Sequence, residues 1–384
     1  MLLLGLAILA ALVGVAAAAF DLGPFADGEP GARGRGEPTS AAPADAERFR
    51  ATADCSVDVT GELVGFIASV PNGSTVAFEE GGCYRIDGTV EIIDRHGLTF
   101  LGNGATFKAT TRADQQRRHW KFLAGSDITI REMTVIGAHP DAGTDDSYVA
   151  EVEGQHGFEF LGVQGVLLER VTVQDVYGDF FYLGKGGPPG AEEVWTTGAV
   201  IRDSTFERNG RQGVAFSGAE DVLIEGNTFT GIARSVFDIE PNKADGGARN
   251  VRIVDNDVTD WKSVVLTVAG KGSVSDITLA DNRLHGKWLS VNIQPARIDD
   301  PEEDKSGTQR ESFTIEGNRS DTPSGFTVIK MVEVDGVVIR DNVQPFDAAD
   351  KDLEPALVLE NCTDVVVEGN QFEGAAEVLV QSSG

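Results

Sequence analysis

One short phrase returns six times in the C-terminal half of the chain and constrains the fold more than any other feature. The phrase begins with Asp, Asn, Ser or Gly, continues with alternating apolar residues and reaches an Asn. Its copies are DVLIEGNTF, NVRIVDNDV, DITLADNRL, SFTIEGNRS, GVVIRDNVQ and DVVVEGNQF. The equivalent asparagines are Asn227, Asn256, Asn282, Asn318, Asn342 and Asn370, separated by 29, 26, 36, 24 and 28 residues.

Alternation of apolar and polar residues has the period of a β-strand, in which successive side chains point to opposite faces. A repeat of about 25 residues cannot bury its own apolar face, but stacked coils can, since each strand pairs with its counterparts above and below. Asn suits a tight turn, where it tolerates left-handed backbone and can hydrogen-bond to the equivalent residue of the next coil. The unequal spacings place the additional residues in loops at one corner.

The N-terminal side of the predicted stack has a different pattern. Thr60 is a candidate N-cap, and Leu63, Phe66, Ile67 and Val70 follow with helical spacing, so we predict a helix that covers the open end of the stack. The segment GSTVAFEEGGCYRIDGTVEII then supplies the first short strands. The order of helix, GSTVAFEEGGCYRI, GLTFLGNGATF and repeating coils resembles the pectate-lyase-like superfamily of right-handed β-helices.

The resemblance covers residues 54–384. It implies an all-β fold, a single-stranded right-handed parallel β-helix of about ten coils with an N-terminal capping helix. It implies chemistry less specifically, because the superfamily includes hydrolases, lyases, epimerases, phage tailspikes and adhesins. Polygalacturonase-type members carry an Asp-Asp pair and a Gly-His-Gly on neighbouring coils, where this chain has Gly178-Asp179-Phe180 and Gln212-Gly213. We therefore do not carry that mechanism over.

The residues before the repeats read as an export signal and a linker. Residues 1–20, MLLLGLAILAALVGVAAAAF, are uniformly apolar and end in small residues. We predict a signal peptide cleaved near Ala18 or Ala19, with an uncleaved membrane anchor as the alternative; both readings make the protein secreted or extracellular. Residues 21–53 are rich in Gly, Pro, Ala and Glu and are predicted to be a disordered linker.

The net charge excludes some classes of binding partner, and the cysteines bear on the redox environment. The chain has 61 Asp and Glu against 32 Lys and Arg, a net charge of -29, which repels phosphate backbones and anionic lipid. We therefore expect no nucleic-acid partner, and membrane contact only through the N-terminal segment. Cys55 and Cys83 bracket the predicted cap and form either a disulfide or two separate buried thiols, with Cys362 free and buried.

A second strand in each coil precedes the Asn phrase and predicts where a groove forms. Aligning these strands on Phe122, Phe160, Tyr182, Phe216 and Ile239 as inward residues leaves three outward ladders. The first ladder is His119, Gly157, Asp179, Gly213 and Val236. The second is Lys121, Glu159, Phe181, Ala215 and Asp238. The third is Leu123, Leu161, Leu183, Ser217 and Glu240.

Three carboxylates of these ladders are candidates for acid–base catalysis. Coils rise about 4.8 Å each, so Asp179 and Asp238 are predicted to lie roughly 10 Å apart with a small lateral offset. Side chains that lean together approach the separation of roughly 6.5–9.5 Å found in inverting glycosidases. We predict Asp179 as the proton donor and Asp238 or Glu240 as the residue that activates water. The alternative is that they are outward carboxylates of an acidic surface.

Residues with suitable chemistry for substrate contact surround these carboxylates. Arg211 is a candidate for bidentate pairing with a substrate carboxylate, or for an internal ion pair with Asp179 or Glu240. Among the tryptophans that can stack on a sugar, Trp195 on a Gly-Pro-Pro loop is preferred to Trp261 and Trp288. The predicted substrate-binding set is Arg211, Gln212, His119, Lys121, His156, Glu159, Asn242 and Trp195.

The phrase FDIEPNKADGG contains hard oxygen ligands of the kind that calcium prefers, from Asp238, Glu240, Asn242 and Asp245. Its spacing matches no calcium loop, so we predict no cofactor or metal, with calcium as the alternative.

The leading functional hypothesis is an extracellular polysaccharide-degrading enzyme, a glycoside hydrolase that acts on extracellular or cell-wall polysaccharide. A lyase or uronate epimerase on the same fold is the first alternative, with Lys121 or Arg211 taking the C5 proton. A non-catalytic carbohydrate-binding surface protein or adhesin is the second.

Overall fold

The computed structural model describes residues 43–114, 116–295, 309–347 and 353–382. The predicted signal segment, and residues 21–42 of the predicted linker, lie outside these ranges. The fold begins before the predicted boundary at Asp54, because Glu47–Arg48 pairs in parallel with Thr75–Ala77 and Phe49 is buried. Residues 47–53 therefore belong to the folded body and not to a linker. In the described ranges, no helix has the length and apolar character needed to cross a bilayer.

The strands form three faces of a coil that repeats along the chain. Sheet 1 contains Glu47–Arg48, Thr75–Ala77, the first parts of Thr99–Lys108 and Ser126–Ile136, Gln164–Glu169, Val194–Arg202, Gly218–Glu225, Gly247–Val254, Ser273–Ala280, Arg310–Glu316, Asp335–Arg340 and Thr363–Glu368. Sheet 2 contains Asp54–Asp58, Cys83–Arg85, the remainders of the two long strands, Thr172–Val176, Thr205–Asn209, Thr228–Ile232, Asp257–Trp261, Arg283–His285 and Arg319–Ser320. Sheet 3 contains Val90–Ile93, Trp120–Leu123, Phe158–Leu161, Phe181–Gly186, Val214–Phe216, Phe237–Ile239, Leu266–Val268, Val291–Ile293, Ile329–Val332, Leu357–Glu360 and Leu379–Ser382.

Each strand pairs in parallel with the corresponding strands of the coils before and after it, as at Val214↔Phe237 and Phe237↔Leu266 in sheet 3. Inward side chains of the three sheets meet in one continuous apolar core, which includes Trp120, Phe158 and Phe206. This is the predicted right-handed parallel β-helix, and the prediction of the fold class is confirmed.

The N-terminal end of the stack is covered by the helix Thr60–Ser69, which buries Leu63 and Ile67 against the first coils. Thr60 is the first helical residue and not the N-cap; its backbone N–H donates to the side chain of Asp58 at 3.0 Å.

A disulfide joins Cys55 to Cys83, with Cα atoms 5.0 Å apart. It ties the first two strands of sheet 2 together. A short 3₁₀ helix, Ala150–Val152, lies in the long loop 137–157. Cys362 is free and buried, as predicted.

The six repeated asparagines form a hydrogen-bonded column at one corner. The Nδ2 atom of each donates to Oδ1 of the next at 2.9–3.0 Å, from Asn227 through to Asn370. The first five are buried, so the column satisfies amide groups that water cannot reach. The prediction of bonding along the stack is confirmed. The left-handed backbone, however, belongs to the Gly or Asp before each Asn, as at Gly226 and Asp255, and not to the Asn itself.

Candidate functional site

The strand register of sheet 3 differs from the prediction by one residue in a single coil. Tyr182 pairs with Glu159 and Ala215, so it points outward, while its neighbours Phe181 and Leu183 are fully buried. The second outward ladder therefore reads Glu91, Lys121, Glu159, Tyr182, Ala215, Asp238, Thr267, Asn292 and Lys330, which we call the Asp238 row. In the first and third ladders, Phe180 replaces Asp179 and Gly184 replaces Leu183.

The shift moves Asp179 from the strand to the turn before it. Extending the register back by two residues aligns Asp179 with Gln212 and Ser235. Asp238 lies three residues further along its own strand than Ser235, so the lateral offset between Asp179 and Asp238 is about 10 Å and not small. The two carboxyl groups still interact electrostatically, since the charge of Asp179 contributes to the raised pKa of Asp238.

Asp179 is fully buried and forms an ion pair with Arg211. Nη1 of Arg211 donates to Oδ1 and Oδ2 at 3.0 and 2.8 Å, and the backbone N–H of Gln212 donates to Oδ1 at 3.0 Å. Glu153 accepts a further bond from Nε of Arg211 at 3.3 Å. Of the pairings predicted for Arg211, the structure therefore shows the internal one with Asp179.

Burial sets the charge states around this pair. It raises the pKa of Asp179 to about 6, although Arg211 and the Gln212 N–H oppose the rise, so the carboxylate is ionised at pH 7. The charge of Asp179 raises the pKa of Arg211, which excludes Arg211 as a base. His156 lies against Asp179, with Nδ1 3.2 Å from Oδ2, and burial holds its pKa well below the ordinary value. His156 is therefore a neutral, buried ring beside an ion pair.

Asp238 is the second buried carboxyl of the site, with 4% of its surface exposed. Burial raises its pKa to about 7, and the charge of Glu240, which directly follows the strand Phe237–Ile239, contributes to the rise. Arg211 opposes the rise through its positive charge. Asp238 thus changes its charge close to neutral pH, as an acid–base catalyst requires.

The remaining predicted binding residues occupy different environments. His119 and Gln212 are buried, at 2% and 6% exposure, and Gln212 accepts a backbone hydrogen bond from Ser235. Neither presents a side chain on the outer face. Burial, with the nearby charge of Arg117, also lowers the pKa of His119 well below its ordinary value, so the ring stays neutral.

Two further predicted residues lie on the Asp238 row but are already paired. Lys121 forms an ion pair with Glu91 at 2.9 Å. Glu159 is buried and accepts a hydrogen bond from Nε of Arg118 at 3.0 Å. Both ion pairs lie on the N-terminal side of Tyr182 along the Asp238 row.

A cavity of about 240 Å³ opens next to Tyr182. Its lining is Leu161, Tyr182, Lys185, Glu193, Ser217, Asn242, Lys243, Asp245 and Gly246. Tyr182 lies on the Asp238 row and donates from its hydroxyl to Ser217 at 2.6 Å, and Ser217 precedes Glu240 by one coil in the third ladder. Asp238 and Glu240 are not among the lining residues, and Asn242 is the predicted binding residue that lines the cavity.

Trp195 is half-buried and does not project from a loop as predicted. It belongs to the strand Val194–Arg202, and its indole N–H donates to the carbonyl of Asp245 at 3.0 Å. Asp245 also pairs with Lys185, so its carboxylate is engaged by a cation. Within the described ranges, no three acidic, histidine or cysteine side chains converge as a metal site would require.

Sequence reasoning missed Tyr182, Ser217, Arg118 and Glu153 as members of this site. The phrase GDFFYLG has three consecutive aromatic residues, and apolar alternation fits two frames there. Glu153 comes from the long loop 137–157, whose fold back onto Arg211 has no local signal in the sequence.

Comparisons with known proteins agree with this architecture. Residues 122–384 match the family model described as "Right handed beta helix region". Among curated proteins, no sequence match is found.

Solved structures match over most of the chain. The surface adhesin PfbA of Streptococcus pneumoniae has a TM-score of 0.59 and 12% identity, covering 88% of this chain and 93% of the adhesin. The A-module of mannuronan C-5 epimerase AlgE4 from Azotobacter vinelandii has a TM-score of 0.53 and 15% identity, with coverages of 86% and 97%. An alginate lyase from Paenibacillus sp. has a TM-score of 0.51 and 11% identity, with coverages of 86% and 98%. At these identities, the likeness is one of fold alone.

Proposed function

The chain belongs to the right-handed β-helix family, and from this premise we propose that it is an exported enzyme that hydrolyses a polysaccharide, with Asp238 and Glu240 as its acid–base pair. The scaffold hosts several chemistries, so the assignment depends on the site and not on the fold. Two solved structures of the same fold, an alginate lyase and a mannuronan epimerase, are named for action on polysaccharides. They support carbohydrate as the substrate class. The disulfide between Cys55 and Cys83 supports an oxidising compartment outside the cytosol.

The observation that carries the proposal is the pair of carboxyl groups on one outward edge. Asp238 and Glu240 are two residues apart, which separates their Cα atoms by about 6.6 Å along an extended strand and points both outward. Inverting glycosidases hold their carboxyl groups roughly 6.5–9.5 Å apart to admit a water molecule. In this assignment Asp238, with its pKa raised to about 7, protonates the leaving oxygen, and Glu240 activates the water.

Asp179 takes a positioning role in this proposal. Its two carboxylate oxygens are occupied by hydrogen bonds from Arg211 and from the backbone N–H of Gln212. It fixes Arg211, whose charge acts on Asp238. The cavity beside Tyr182 and Ser217 would hold one sugar ring next to the pair, since its volume approaches the roughly 300 Å³ at which small-molecule pockets begin.

The test is release of reducing sugar from a panel of plant, algal and bacterial polysaccharides. We expect Asp238→Asn and Glu240→Gln each to lower the rate by at least about 100-fold, as loss of an acid–base group does. Glu91→Gln is the matched control, because it removes a more exposed carboxylate from the same row and should keep the wild-type rate. Full activity in both site variants would end this assignment. Binding of a glycan without any turnover would support a surface-binding protein instead.

A lyase or C-5 epimerase acting on a uronate is the second candidate, favoured by one observation. The neutral ring of His156 stacks on Tyr182, with ring centres 5.2 Å apart, beside the fixed cation of Arg211. In this candidate the phenol of Tyr182 would supply the proton-transfer group, while Arg211, already paired with Asp179, would contribute only part of its charge to a uronate carboxylate. Lys121 and Arg211 no longer serve as the base in this reading, since Lys121 is paired with Glu91 and the pKa of Arg211 is raised. An unsaturated product that absorbs in the ultraviolet would identify a lyase.

A further inference from the structure

A pair of aromatic side chains lies three and four coils beyond Arg211. Trp288 and Phe326 are packed together, with ring centres 5.5 Å apart and planes tilted by 35°. Phe326 is 55% exposed, which is unusual for a phenylalanine in a well-packed β-helix. We call these two residues the platform.

The platform belongs to the same turn position as the arginine of the proposed site. Three residues before the paired strand positions Val214, Phe237, Leu266, Val291 and Ile329 lie Arg211, Arg234, Ser263, Trp288 and Phe326. Backbone bonds from Arg234 to Arg211 at 3.0 Å and from Ser263 to Arg234 at 3.1 Å connect the first three of these turns. The turn row therefore runs parallel to the stacking axis and to the Asp238 row, four residues earlier in each coil.

Hydrogen bonds hold the two turns that carry the platform in place. Nζ of Lys287 donates to the carbonyls of Trp261, Lys262 and Ser263 at 2.8–3.1 Å and lies 5.6 Å from the centre of the Trp288 ring. The turn that carries Phe326 is fixed in turn by Ser324, whose hydroxyl is bonded to both the N–H and the carbonyl of Phe326 at 3.0 Å. A rigid aromatic surface costs little conformational entropy when a ligand lies on it.

A second exposed aromatic residue lies along the same edge. Tyr148, 40% exposed, comes from the loop 137–157 and stacks under the guanidinium of Arg234 at 4.9 Å. Tyr148 and Phe326 are the two aromatic members among the large exposed apolar side chains of the described ranges. Ser263, the small residue of the turn row between them, is exposed.

We propose that the turn row is a carbohydrate-binding track, on which Tyr148 and the platform of Trp288 and Phe326 stack against pyranose rings of one chain. From the coil of Arg234 to that of Phe326 are three coil steps, about 14 Å at about 4.8 Å per coil, so the track accommodates several successive sugars. The flat apolar faces of pyranoses match exposed aromatic rings, and the hydroxyls remain in water. The proposal takes its ligand class from the proposed function but does not require turnover.

Binding of the purified protein to an array of linear pyranose oligosaccharides, from disaccharides to octasaccharides, tests this track. We expect wild type to prefer longer chains, and Phe326→Ala and Trp288→Ala each to weaken binding of the longest chains about five- to ten-fold, with little change for disaccharides. Val366→Ala is the matched control, because it truncates a side chain with 44% exposure in sheet 1. Wild-type affinity in Phe326→Ala and Trp288→Ala, or no binding of any array member by wild type, would overturn the proposal. Loss of binding in these variants while Asp238→Asn releases sugar normally would retain the track and remove the proposed catalytic pair.

Discussion

The buried carboxyl of Asp238 links the stability of this protein to pH, and one isosteric substitution measures the link. The pKa of an aspartate in an unfolded chain is near 3.8, whereas burial raises that of Asp238 to about 7. Between these values the folded state binds the proton more tightly, so stability falls as pH rises from about 4 to about 7. Each unit of pKa difference corresponds to about 1.4 kcal/mol, so the ionised carboxylate costs about 4 kcal/mol at pH 8 and about 2 kcal/mol at pH 5.

Asp238→Asn removes this ionisation while keeping the shape of the side chain. The variant should therefore be more stable than wild type by about 4 kcal/mol at pH 8 and by about 2 kcal/mol at pH 5. Urea unfolding followed by circular dichroism at the two pH values gives both differences. Glu91→Gln, which removes a more exposed carboxylate of the same row, should change stability by less than about 1 kcal/mol at either pH. Glu240→Gln should reduce the pH dependence, since the charge of Glu240 contributes to the raised pKa of Asp238.

A stability difference that is equal at pH 5 and pH 8 would refute the reasoning, because it would mean that Asp238 ionises as easily in the folded protein as in the unfolded chain. A destabilised Asp238→Asn variant at pH 8 would have the same consequence. Either result would also remove the acid–base role proposed for this residue.

Three other substitutions have defined consequences. Asn282→Ala leaves buried partners of the asparagine column unsatisfied and should lower the free energy of unfolding by about 3 kcal/mol or more, measured by urea unfolding. Replacing Cys55 and Cys83 by Ser opens a loop of 28 residues and should cost about 3.5 kcal/mol, an effect that a reductant reproduces in wild type but not in the variant. Arg211→Met leaves Asp179 buried without its cation and should cost about 3–5 kcal/mol at pH 8 but less at pH 5, where Asp179 takes up a proton; a loss independent of pH would contradict the ion pair.

The fold was predictable because its signal is repeated. Each Asn phrase specifies the same turn, and the buried column from Asn227 to Asn370 is the physical reason for the recurrence. Strand alternation supplied the inward residues of most coils. These local patterns do not depend on contacts between distant segments, so a single sequence is enough to recognise them.

The site was predictable only in part, because its geometry depends on one coil and one loop. At Asp179 the chain turns a corner with two successive buried aromatics, Phe180 and Phe181, which alternation cannot place. The resulting shift of one residue moved Asp179 off the outer face and put Tyr182 there. Glu153 reaches Arg211 across 58 residues of sequence, and such a contact follows from packing and not from any local pattern.

The asparagine column also decides which changes in chain length this molecule tolerates. Each inner member meets an identical amide above and below, so any coil is an acceptable neighbour for any other at that corner. Removing a whole coil, from one asparagine to the next, would bring two column asparagines into contact again. Removing two residues within the turn would instead leave a gap in the column. Insertions and deletions that preserve the column therefore comprise complete coils. The loops at the other corners accept spacings of 24 to 36 residues between successive asparagines.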